Sequence, residues 1–210
     1  MTDIGPTTSS PVTRPAQRTR RRLWNLSPRE YEHPFDRRAL DALESNGLLE
    51  KVVRVFSQHS VERLLRIQYT GSNLRVTSKS FPELQHVLEE ACQVLGVARL
   101  PQLYVKWGYG VNAFTAGVES PILVLDSGCI DLLTPDELLF VIGHEIGHIK
   151  SEHVLYRQMA QLIPVLGDLV GSVTLGLGRA MSMGFEVALF NWMRMSEFTA
   201  DRAGLLACQN

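Results

Sequence analysis

Two histidines four residues apart with a glutamate between them, His144-Glu145-Ile146-Gly147-His148, set the terms for the rest of this 210-residue chain. They sit in a segment that reads as a helix. Thr134-Pro135-Asp136-Glu137 is a helix start, with Thr134 as N-cap, Pro135 at the first helical position and Glu137 closing a capping box. Val141, Ile142, Ile146 and Ile149 supply an apolar face, and the pattern predicts a helix from 135 to about 159. Positions i and i+4 share a helix face, so His144 and His148 present two imidazoles to one cation. Glu145 then reaches a water held by that cation. The pattern would arise by chance in roughly 1% of chains of this composition. Gly147 costs a helix about 1 kcal/mol relative to Ala, a cost explained where another backbone or a substrate comes close.

Two imidazoles need a further protein ligand. His153 follows His144 by nine residues, half a turn out of phase at 100° per residue, and is expected in a supporting or surface position. Glu197 in Ser196-Glu197-Phe198-Thr199-Ala200-Asp201-Arg202 is the better candidate, on a second helix crossing the first. Asp201, one turn on, is placed to hydrogen-bond the far nitrogen of a ligand histidine and set its tautomer. As a merely solvated pair, Glu197 and Asp201 would repel at this spacing.

The rest of the chain reads as helices around a small sheet. Residues 1–27, with prolines at 6, 11 and 15 and a basic cluster at Arg18, Arg20, Arg21 and Arg22, read as a disordered tail. Trp24, Leu26, Tyr31 and Phe35 are apolar anchors that suggest the first 35 residues fold over a cleft. Residues 28–80 read as a helical segment packing on the core, with helices at 36–46 and 48–58 and a short strand at 74–77. Residues 81–210 form the main domain. Its first helix opens at Phe81-Pro82-Glu83 and stops at Gly96. Runs at 102–107, 111–116 and 122–125 read as an antiparallel meander. Residues 161–195 form an apolar helical hairpin, each arm short for a membrane span, which needs about 20 apolar residues. A last helix covers 196–208.

Composition narrows the function classes. Net charge is −1, with 45% hydrophobic and 20% charged residues, which gives no cationic field for nucleic acid. Cys92, Cys129 and Cys208 are too few and odd in number for a disulfide scaffold, and a reducing compartment is the simpler setting. The N-terminus shows no secretory signal, although an Arg-rich, acid-poor start also resembles an organelle transit peptide. The expected location is cytoplasmic, with peripheral membrane association through 161–195.

The His144–His148 motif, the Ser196–Gly204 segment some fifty residues later and Val111-Asn112-Ala113-Phe114 upstream together resemble gluzincin metallopeptidases related to the heat-shock protease HtpX and the CAAX prenyl endopeptidase. The resemblance spans roughly residues 80–208. It implies an α+β, zincin-like fold, mostly helical, with a small antiparallel sheet. It implies one zinc ion held by His144, His148 and Glu197, Glu145 as general base and Asp201 as an orienting group. It also implies that Asn112, Ala113 and Phe114 lie on an edge strand, where an extended peptide or unfolded protein pairs through its main chain. The implied activity is endopeptidase. Members often carry a further histidine after the Glu helix, and none follows Glu197 here. A second reading, a latent or non-catalytic zinc-binding scaffold at a membrane surface, rests on that departure and on the basic tail.

Overall fold

The computed structural model describes residues 19–45, 67–158, 160 and 177–209. The predicted helix at 48–58 and the first arm of the predicted hairpin lie outside these residues. In chain order the elements are α1 (Pro28–Tyr31), α2 (Pro34–Glu44), β1 (Leu74–Arg75), α3 (Pro82–Val94), β2 (Gln102–Lys106), β3 (Ala113–Ala116), β4 (Ile122–Asp126), α4 (Ser127–Leu132), α5 (Pro135–Lys150) and α6 (Leu177–Cys208).

The sheet is mixed rather than the expected antiparallel meander. Its order is β1-β2-β4-β3, with β2 and β4 parallel and the other pairs antiparallel. The reason is in β4. All five of its residues are buried, and a strand apolar on both faces belongs inside a sheet. The chain therefore runs from β2 out to β3 at the edge and returns between them. The edge strand begins at Ala113, so Asn112 precedes it. The Asn112 carbonyl turns inward and accepts from Asp126 N–H at 2.9 Å and from Cys129 Sγ at 3.2 Å.

One face of the sheet packs on α3 and α5 in the main core, where Leu88, Leu103, Leu125, Leu139, Ile142 and Ile146 are buried together. The helix α3 ends as expected at Gly96, whose φ of +66° suits glycine. A Cβ there would lie 3.1 Å from the Leu23 carbonyl, so the N-terminal stretch runs directly over this cap. Residues 19–27 are thus ordered against the fold, not part of a free tail. Leu23 N–H donates to the Val94 carbonyl at 2.9 Å, and Arg20 pairs with Glu90 at 2.8 Å and with Asp136. Arg20 finds two carboxylates and the Cys208 carbonyl in one place, which a charge count along the chain does not reveal. Trp24 stays exposed under the Arg22 guanidinium, whereas Tyr31 is buried with its hydroxyl 3.0 Å from Ser151 Oγ.

Two helix boundaries differ from expectation. The predicted helix to 159 ends at Lys150. Glu152 takes φ +59°, and a new helical turn begins at His153. A left-handed glutamate carries no sequence signal of the kind glycine gives. The second hairpin arm and the last helix form the single element α6. Among the described residues no helix is long and apolar enough to cross a membrane.

Burial sets an alkaline limit on this core. It pushes the Tyr31 hydroxyl and the Cys92 thiol each up to about 12. Each group ionises more readily unfolded, so its contribution to stability is complete below its ordinary value and lost as pH rises toward 12. The urea midpoint should fall steadily between pH 9 and 12. A flat midpoint across that range would contradict the burial of both groups.

Candidate metal centre

The centre is built where α5 crosses α6. The N-terminus of α5 carries the expected capping box, with Thr134 N–H donating to Glu137 at 2.8 Å and Glu137 N–H returning to Thr134 Oγ1 at 3.4 Å. The crossing is close because both helices present small residues. A Cβ on Gly147 would stand 3.3 Å from the Ala200 Cα and 2.6 Å from the Ala203 Cβ, and one on Gly143 would stand 2.5 Å from the Ala207 Cβ. The helical cost of Gly147 is thereby explained, because a second backbone occupies the space.

This approach brings Glu197 onto the two imidazoles. His144 Nε2 and His148 Nε2 are 3.1 Å apart, Glu197 Oε2 is 3.2 Å from the first, and Glu197 Oε1 is 3.6 Å from the second. Ligand distances of about 2.0–2.2 Å around a tetrahedral zinc require donor separations of about 3.3 Å. His144, His148 and Glu197 form the one group of this kind among the described residues, their ligand atoms all within 4.8 Å of one another.

The far nitrogens are also engaged. His144 Nδ1 lies 3.0 Å from Asp201 Oδ1, and His148 Nδ1 lies 3.0 Å from His153 Nδ1. With each Nδ1–H donated outward, both Nε2 lone pairs converge on one point, which is favourable only around a cation. The donor set therefore fits a divalent ion. One side-chain cation is already there. Arg157 Nη1 donates to His148 Nε2 at 2.7 Å and also to Glu197 Oε1.

The electrostatics follow from this crowding. Burial would raise the Glu197 carboxyl, but its contacts with the His144 and His148 rings and the charge of Arg157 hold it far below the carboxylate range. His148, fully buried and beside Arg157, is pushed down to about 3 and stays neutral. His144 also loses solvation, yet Glu197, Glu145 and Asp201 raise its affinity for a proton. Burial raises Glu145, which is 4% exposed, and its Oε2 has no hydrogen-bond partner among the described residues.

The structure thus brings His144, His148, Glu197 and Asp201 together, with Glu145 buried alongside. Ala113 packs toward the main core, and Phe114 points to the opposite face of the sheet, 4.8 Å from the Tyr69 ring. Sequence reasoning missed Arg157, which lies nine residues past His148 and returns to it only because the chain turns at 151–152. It also missed Asp36, which meets His153 from the N-terminal segment at 3.1 Å.

Residues 78–210 match peptidase family M48, a stretch that includes every residue named at the crossing except Asp36. The chain belongs to this family. A plastoglobule-localized metallopeptidase 48 of Arabidopsis thaliana chloroplasts is 28% identical over 189 residues, covering 89% of this chain and 53% of that protein. HtpX protease homologues of Dictyoglomus thermophilum and Methanocaldococcus jannaschii are 36% and 29% identical over 108 and 111 residues, 49% and 51% of this chain. The chain spans 35% and 38% of those two M48 relatives, and about half of the plastoglobule protein. No solved structure matches it.

Proposed function

We propose that the chain is a zinc-dependent endopeptidase of the gluzincin type on a zincin-like fold, with His144, His148 and Glu197 as ligands and Glu145 as general base. The observation that carries this reading is three converging donors at tetrahedral spacing beside a buried carboxylate with a free oxygen. Imidazole and carboxylate donors make zinc the default among divalent ions. A bound zinc ion would polarise the scissile carbonyl and lower the pKa of a water toward about 7.

Glu145 takes a proton from the attacking water at Oε2 and returns it to the leaving amine. Its raised proton affinity suits both transfers, because the group must accept and then release within one turnover. Asp201 holds the His144 ring in the tautomer that leaves Nε2 free. The outer edge of β3 offers main-chain groups to an extended peptide or unfolded protein, with Ala113 and Phe114 on that strand and Asn112 bracing its start. A cytoplasmic location, peripheral membrane contact through 161–195 and no nucleic-acid partner complete the reading.

The test is casein cleavage with and without o-phenanthroline, together with elemental analysis. Cleavage abolished by the chelator is expected. Zinc should be stoichiometric in the wild type and lost in His144→Ala and Glu197→Ala. Zinc retained by both variants would remove the ligand assignment. Zinc bound without any cleavage favours the latent scaffold, a reading supported by the Arg157 guanidinium seated on His148 and Glu197.

A further inference from the structure

We infer that Asp36 and His153 are positioning residues for the metal centre, forming a relay from a buried carboxylate through two imidazoles to the ligand nitrogen of His148. The inference rests on the metal-centre reading above and adds to it a residue outside the stretch that matches the family.

The proton arrangement follows from donor logic alone. The Arg157 guanidinium can only donate, so His148 Nε2, 2.7 Å from it, carries a lone pair. With no proton on Nε2, the imidazole carries its single N–H on Nδ1. His153 Nδ1, 3.0 Å away, must accept that proton's hydrogen bond. The His153 proton is then on Nε2, which lies 3.1 Å from Asp36 Oδ2. A single consistent assignment runs through all three side chains, and it leaves the His148 lone pair facing His144 and Glu197. A metal ion requires that same tautomer.

The relay is built to be rigid. Asp36 and His148 are fully buried and His153 is 2% exposed, so water cannot substitute for a missing partner. The same Asp36 oxygen accepts from Thr199 Oγ1 at 2.5 Å, and Thr199 accepts from His33 N–H at 3.0 Å. Thr199 follows Glu197 by two residues on α6. The N-terminal helix α2 therefore ties a ligand of α5 to the helix that carries the third ligand. Arg202 reinforces the tie by donating to the Tyr31 and Glu32 carbonyls at 3.2 and 3.1 Å. The His153 ring stands edge-on to Trp192 at 5.5 Å, which limits its rotation.

Outer hydrogen-bond partners of metal-binding histidines are worth about 10–100-fold in affinity. The experiment is zinc competition against a fluorescent chelator, performed on the full chain and on Asp36→Asn, His153→Phe and His153→Asn, with thermal unfolding of each metal-free form. Asp36→Asn and His153→Phe should bind zinc at least about tenfold more weakly per folded molecule. His153→Asn, whose carbonyl can still accept from His148 Nδ1–H, should recover part of the loss. In the zinc-loaded wild type, a 15N spectrum of the histidine rings should show His153 protonated on Nε2 and not on Nδ1. A merely structural role would lower the unfolding temperature without changing zinc affinity or distinguishing Asn from Phe. That result, or a His153 protonated on Nδ1, overturns the relay. If Asp36→Asn does not fold, the two His153 variants and the wild-type spectrum decide the question. A wild type that binds no zinc defeats the metal-centre reading itself, whereas zinc bound equally by wild type and variants defeats only the relay.

Discussion

Glu145→Gln should retain zinc and lose about 10²–10⁴-fold in the rate of casein cleavage. The substitution keeps the shape of a side chain that is 4% exposed and packed beside the ligand pair. It replaces the free carboxylate oxygen by a group that cannot accept a proton from water. Because Glu145 makes no hydrogen bond through Oε2 among the described residues, little structural energy is removed with it. The metal content and unfolding temperature should therefore stay near those of the wild type while turnover collapses. Measuring all three on one preparation separates a lost base from a lost site. Turnover within a factor of a few of the wild type would remove Glu145 from its assigned role.

Gly147→Leu should have the largest structural effect of any single change at the crossing. A Cβ alone would meet the Ala203 Cβ at 2.6 Å and the Ala200 Cα at 3.3 Å, and a leucine adds three more carbons into that gap. Overpacking of this kind costs about 1–3 kcal/mol and sometimes more. Helix propensity alone would work in the opposite direction by nearly 1 kcal/mol, so the sign of the change decides between the two effects. The helices can relieve the clash only by moving apart, which carries Glu197 away from the imidazoles. Zinc affinity should fall with stability. Gly71→Ala is the control, because nothing lies within 4 Å of its added carbon. A Gly147→Leu protein that unfolds at the wild-type temperature would show that the two helices do not need this contact.

Both predictions depend on features that differ in how visible they are along the chain. The cap at Thr134, the apolar face of α5 and the two imidazoles are local, because backbone geometry repeats every few residues and places i and i+4 together. Glu197 and Asp201 were legible for a related reason, since like charges at that spacing are poorly explained by a solvated helix. The apolar run at 122–125 marked a buried strand, but its place between β2 and β3 was not legible from the run itself. The order of strands depends on which faces can be covered, and only the packed helices settle that.

Local pattern along the chain was enough for a capped helix bearing two metal-competent imidazoles and a general-base candidate, and for naming the distant carboxylate to be looked for. Packing alone placed Arg157 on His148 and Glu197, set His153 under His148 after the turn at Glu152, and brought Asp36 from the N-terminal segment to meet it. Helical periodicity carries information over a few residues. Contacts between residues more than a hundred positions apart depend on which surfaces bury each other, and side chains such as Asp36 and His153 are assigned their partners only once that burial removes water from both.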